Sequence, residues 1–77
     1  MNLAEGRGRL YLHATDVLRE TMEELGISQT ELARRLGVGD AAVSRVLGEA
    51  RNLRLSTIAD YGTALGVRFV FVAEKEE

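Results

Sequence analysis

The stretch that decides the fold is Ile27-Ser28-Gln29-Thr30-Glu31-Leu32-Ala33-Arg34-Arg35-Leu36-Gly37-Val38-Gly39-Asp40-Ala41-Ala42-Val43-Ser44-Arg45-Val46-Leu47-Gly48. Ser28-Gln29-Thr30-Glu31 is a capping box, in which the serine hydroxyl and the glutamate carboxylate each take an orphan backbone N–H of a helix start. Leu32, Ala33 and Leu36 then share one helical face, and Gly37 stops the helix. A second short helix follows from Asp40 to Leu47. Val43, Val46 and Leu47 are its apolar set, Asp40 lies where the helix dipole favours an anion, and Gly48 ends it. Neither helix is long enough to persist alone in water, so each needs the other. Ala33 is small and lets them cross closely, and Gly37 can supply a positive-φ turn residue.

On the N-terminal side, Leu10, Ala14, Val17, Leu18, Met22 and Leu25 form a helical stripe that Gly26 terminates. Residues 1–8 carry no pattern and are expected to be a flexible N-terminus. The alternation in Arg9-Leu10-Tyr11-Leu12-His13 leaves a short strand there as an alternative. On the C-terminal side, residues 49–54 are a polar loop, and Leu55 to Leu65 reads as a fourth helix with Leu55, Ile58, Ala59 and Leu65 inward. Gly62 inside that helix weakens it by roughly 1 kcal/mol relative to alanine, which suggests close approach of a neighbouring backbone. Val67-Arg68-Phe69-Val70-Phe71-Val72-Ala73 is rich in β-branched and aromatic residues and reads as a strand. The expected organisation is residues 9–66 as one mainly α, four-helix domain, 67–73 as a strand, and 74–77 as a charged tail.

A lone strand must find an edge, because its backbone N–H and C=O groups need partners. Antiparallel pairing with a second copy supplies one, making Val67, Phe69, Val70, Phe71 and Val72 a homodimer interface. The alternatives are an extended arm lying on its own domain, or pairing with residues 9–13.

Composition narrows the function. The 77 residues contain no cysteine and one histidine, which leaves no disulfide, thiol nucleophile or ordinary transition-metal set. No nucleophile–base pair or glycine-rich phosphate loop is present, so no enzyme and no cofactor are expected. No apolar run approaches the ~20 residues a membrane span requires, and nothing resembles an export signal, so a cytoplasmic location is expected. The net charge is −2, yet residues 28–55 carry five arginines against three acids. Nine of the ten cationic residues are arginine, the side chain suited to bidentate contacts with phosphate or guanine.

Two short helices across a glycine-bearing turn suit a helix-turn-helix. The second helix presents a slender polar face of Asp40, Ala41, Ala42, Ser44 and Arg45, which fits a major groove. From Ile27 through Leu47, the pattern SQTELARRLGV followed by VSRVL resembles the Xre/Cro-type helix-turn-helix regulators of phages and bacteria, with a lambda-repressor-like fold. The likeness extends through Arg51-Asn52-Leu53, Leu55, Thr57-Ile58-Ala59 and Ala64-Leu65-Gly66-Val67, covering about residues 10–72. It implies a DNA-binding transcriptional regulator, commonly a dimeric repressor on a palindromic operator. It also allows a second job, the antitoxin half of a toxin–antitoxin pair that binds a toxin protein and its own promoter. Carried over by position, the base-reading residues are Asp40, Ala41, Ala42 and Arg45, with Ser44 adjacent. Phosphate contacts fall on Ser28, Gln29, Arg34 and Arg35, and on Arg51, Asn52 and Arg54 of the following loop. Two positions depart from the family pattern: Gly39 stands where Ser or Thr often caps the helix, and Asp40 where Gln is often found. Sequence reading would therefore lean on Arg45, bidentate to guanine O6 and N7.

Overall fold

The computed structural model describes residues 1–48 and 53–76. Its elements are α1 (Leu3–Leu25), α2 (Gln29–Leu36), α3 (Asp40–Gly48) and α4 (Leu55–Leu65). The Ser28 hydroxyl accepts from Glu31 N–H at 3.1 Å, so the expected cap opens α2. At the other end Gly37 adopts φ 72°, the left-handed conformation that favours glycine. There Gly37 N–H donates to Arg34 C=O and Val38 N–H to Ala33 C=O. The pairs Gly26-Ile27 and Gly66-Val67 close α1 and α4 with the same two bonds.

Helix α1 begins earlier than its apolar stripe predicts. Asn2 caps it, its Oδ1 accepting from Glu5 N–H at 3.0 Å, and residues 3–8 are helical rather than irregular. The same continuous helix covers residues 9–13, so no strand forms there.

One core joins all four helices: Leu18 and Met22 of α1, Leu32 and Ala33 of α2, Val43 and Leu47 of α3, and Tyr61 and Leu65 of α4. Leu18, Leu32 and Val43 are fully buried, each contributing roughly 1.5–3 kcal/mol by leaving water. Helix α4 is rolled relative to the expected face. Tyr61 and Gly62 turn inward with Leu65, while Leu55 and Ala59 face solvent.

Among the described residues there is no strand, which corrects the expected β-strand at 67–73. The reason is that a strand exists only with a ladder partner, and the described residues offer none. The segment is instead an extended arm on its own domain. Val67 and Phe69, expected at an intersubunit surface, pack against the chain's own core. Val70, Phe71 and Val72 stay 71–77% exposed. Gly62 is where the arm lies closest: a Cβ there would sit 3.0 Å from the Val67 carbonyl oxygen and 3.1 Å from the Phe69 ring.

Glu31 joins α2 to its own basic residues and, through Arg35, to α4. Its carboxylate accepts from Arg34 Nε and Arg35 Nε, both at 2.9 Å, while Arg35 Nη1 donates to the Ala64 carbonyl at 3.0 Å. The hydrogen bond from Arg34, then that from Arg35, lowers the Glu31 pKa from 4.5 to about 2.

This packing sets the sign of three substitutions. Gly62→Ala should destabilise the fold by about 1–2 kcal/mol despite better helix propensity, because the new methyl pushes the arm outward. Gly8→Ala, where an added methyl would meet nothing within 4 Å, should stabilise by about 0.5–1 kcal/mol; paired thermal melts compare the two. Glu31→Gln should lower the melting temperature at neutral pH. A carboxyl whose folded pKa is depressed contributes stability above its ordinary value and loses it as pH falls, so the gap to wild type should close between pH 4.5 and about 2.

Candidate nucleic-acid interface

The buried residues of α3, Val43 and Leu47, hold its inner face against the core, with Ala42 and Val46 half-buried beside them. That orientation leaves Asp40, Ala41, Ser44, Arg45 and Gly48 exposed along one stripe. The stripe carries no bulky apolar side chain, so it can enter a groove. Ala42, expected to read bases, lies at the edge of the stripe.

Each polar residue of the stripe has a distinct environment. Arg45 makes no hydrogen bond or ion pair among the described residues, and it stands open to solvent. Asp40 Oδ2 accepts from the Thr30 hydroxyl at 2.8 Å, which ties the start of α3 to the first turn of α2. The Ser44 hydroxyl donates to Gln29 Oε1 at 2.9 Å, a second tie between the same helices. With its oxygen engaged, Gln29 keeps both amide N–H groups for an acceptor outside the protein. The backbone N–H groups of Gln29 and Thr30 also lack partners among the described residues, at a helix terminus that attracts anions.

The expected phosphate donors divide. Ser28 uses its oxygen to cap α2 and retains a hydroxyl hydrogen. Arg34 and Arg35 both bond Glu31 on the flank of α2, Arg35 also reaches the Ala64 carbonyl of α4, and both remain exposed. Arg54 is exposed immediately before α4. Arg51 and Asn52 lie outside the described residues.

One further residue, which no sequence motif marks, helps set the site. Arg19 of α1 donates through Nη2 to the Leu47 carbonyl, near the C-terminal end of α3. A guanidinium there satisfies a terminal carbonyl and complements the helix dipole. Three polar ties, Arg19–Leu47, Thr30–Asp40 and Ser44–Gln29, thus fix both ends and the middle of α3. Arg19 lies 28 residues from its acceptor, so only the folded chain brings the two together.

No helix among the described residues is long and apolar enough to cross a membrane. Among curated proteins and among solved structures nothing matches the chain. The helix-turn-helix family profile matches residues 18–72, well over half of the sequence and including both α2 and α3. That match spans the capped α2, the glycine turn and the open α3 stripe, and the chain belongs to the Xre/Cro-like helix-turn-helix family of DNA-binding transcriptional regulators.

Proposed function

We propose that the protein is a repressor that binds a palindromic operator as a homodimer, each copy placing α3 in a major groove. The observation that carries this reading is the α3 stripe, polar and slim, with Arg45 exposed at its centre. Arg45 takes the principal base contact, bidentate to guanine O6 and N7. Ala41 and Ala42 offer methyl groups to thymine. Asp40 keeps Oδ1 for a cytosine amine while Thr30 holds Oδ2. Ser44 acts by orienting Gln29, whose amide and neighbouring backbone N–H groups receive a phosphate. Ser28 and Arg54 extend that phosphate track, and Arg51 and Asn52 are assigned to it from their place in the family pattern. Arg34 and Arg35 contribute positive field from behind Glu31.

The dimer forms through the arm after α4, where Val70, Phe71 and Val72 are exposed together. Two copies would place their recognition helices about one DNA turn (~34 Å) apart. The same exposed arm is what an antitoxin would offer a toxin, and co-purification of a stoichiometric small protein in place of a second copy supports that alternative.

Two measurements test the reading. Arg45→Ala should weaken operator binding by about 1–3 kcal/mol and relax specificity at one base pair. A gel-shift series over operator variants reads both effects, and wild-type discrimination by the mutant refutes the base contact. Val70→Asp should shift the protein to monomer in sedimentation velocity and reduce operator affinity. A wild type that sediments as a monomer at micromolar concentration removes the dimer.

A further inference from the structure

The arm leaves a complete row of hydrogen-bonding groups unused. Beyond Val67 N–H, which bonds Gly62 C=O, the backbone of residues 68–76 makes no hydrogen bond within the described residues. Three successive exposed apolar side chains, Val70, Phe71 and Val72, lie on this unpaired edge. The arm is nevertheless held in place. Phe69 sits over Gly62, and Arg9 meets Glu76 at 3.6 Å near the far end. It therefore lies against its own domain near both ends before any partner arrives.

We propose that two copies pair through these arms as an antiparallel ribbon in a single register, with Phe71 on the twofold axis. This rests on the homodimer reading and specifies its geometry. Directly opposed residues of an antiparallel pair point to the same face. A twofold axis normal to the ribbon must therefore pass beside a residue, because only positions of equal parity share a face. With Phe71 central, Arg68 faces Glu74, Phe69 faces Ala73 and Val70 faces Val72, each pair occurring twice. Every pair formed by residues 68–74 is then apolar on apolar or cation on anion.

Other centres break this match. Centring on Val70 sets Arg68 against Val72 and Glu74 against Gly66. Centring on Val72 pairs Arg68 with Glu76 but sets Glu74 against Val70 and Lys75 against Phe69, two charges on apolar residues, where the Phe71 register has one, Lys75 against Val67. Register is weakly specified in a uniformly apolar strand, and here the two charges bracketing the apolar run specify it.

The faces agree with the structure. Val67 and Phe69 already turn toward the domain, and Phe71, exposed in the single chain, falls on the same side as these two when the arm pairs as a strand. Phe71 borders an apolar hollow of about 120 Å³ lined with Leu10, Ala14, Leu55 and Ile58. Leu10 and Leu55 are themselves exposed. A second Phe71 on the axis would close over that region, and the outer face would carry a ladder of Arg68–Glu74 and Val70–Val72 pairs.

The test uses the full chain, which has no native cysteine. Phe71→Cys, at a position 77% exposed, should form a covalent dimer under mild oxidation, whereas Val70→Cys and Val72→Cys should cross-link efficiently only when mixed with each other. Arg68→Glu should raise the dimer dissociation constant about tenfold at low salt, from two opposed like-charge pairs. Arg68→Glu combined with Glu74→Arg should restore it to near the wild-type value, with circular dichroism confirming the helical fold of each variant. A dimer that cross-links through Val70→Cys or Val72→Cys alone, or that the double exchange does not rescue, overturns the register and leaves the dimer standing. A monomeric wild type overturns the dimer itself.

Discussion

Helix α2 has eight residues, far below the length at which a helix holds in water, so its existence is a statement about packing. Leu32 and Ala33 lose essentially all their exposure against neighbouring helices, and Val43 of α3 is sealed by the same contact. This junction is the constraint on which the recognition surface depends. Once Val43 and Leu47 must point inward, the helical period leaves no choice about what points outward. The exposed stripe of α3 is the remainder of a core requirement. A larger residue at Ala33 would separate the two helices and tilt that stripe, although the substituted position is buried away from it.

Packing fixes which face is inward more firmly than it fixes the helix along its own axis. The polar ties supply that second restraint. Thr30–Asp40 and Ser44–Gln29 bridge α2 and α3 on the solvent side, and Arg19 holds the Leu47 carbonyl from α1. Each restrains a side chain that would otherwise sample several rotamers, and each lies within or beside the α3 surface. Preorganisation of this kind lowers the ordering cost of binding. It also changes how the stripe is read. Asp40 and Ser44 are each tied to α2 beside the exposed Arg45, and Asp40 bears its negative charge already hydrogen-bonded to Thr30.

Much of this was legible in the sequence. The Ser28–Glu31 box and the stops at Gly26, Gly37 and Gly66 are local features, set by a cap and by left-handed residues within a few positions. Gly62 announced a close approach, and the arm makes it. What could not be read was non-local or needed a partner. Residues 1–8 carry no apolar pattern, yet the Asn2 cap and the long continuation of α1 carry the helix through residues 3–8. The roll of α4 sets Tyr61 inward and Leu55 outward, and Phe69 of the distant arm packs on the same core. Residues 67–73 have strand composition, but composition cannot provide the opposing edge.

That missing edge bears on how a chain of net charge −2 can approach a polyanion. The acids Asp16, Glu20, Glu23 and Glu24 all lie on α1, and Glu74 and Glu76 lie on the arm. Neither group belongs to the α3 stripe, where Asp40 is the sole acid. Charge is thus sorted by element, and net charge is a poor guide to the field at one face. An arm that pairs with its twin would use part of this acidity as well. Glu74 would meet Arg68 of the second copy and help specify how two chains join. Exposed edges of apolar strands invite indiscriminate pairing. A charge at each end of the run makes one pairing better than its neighbours, and the same two residues then serve solubility, register and symmetry.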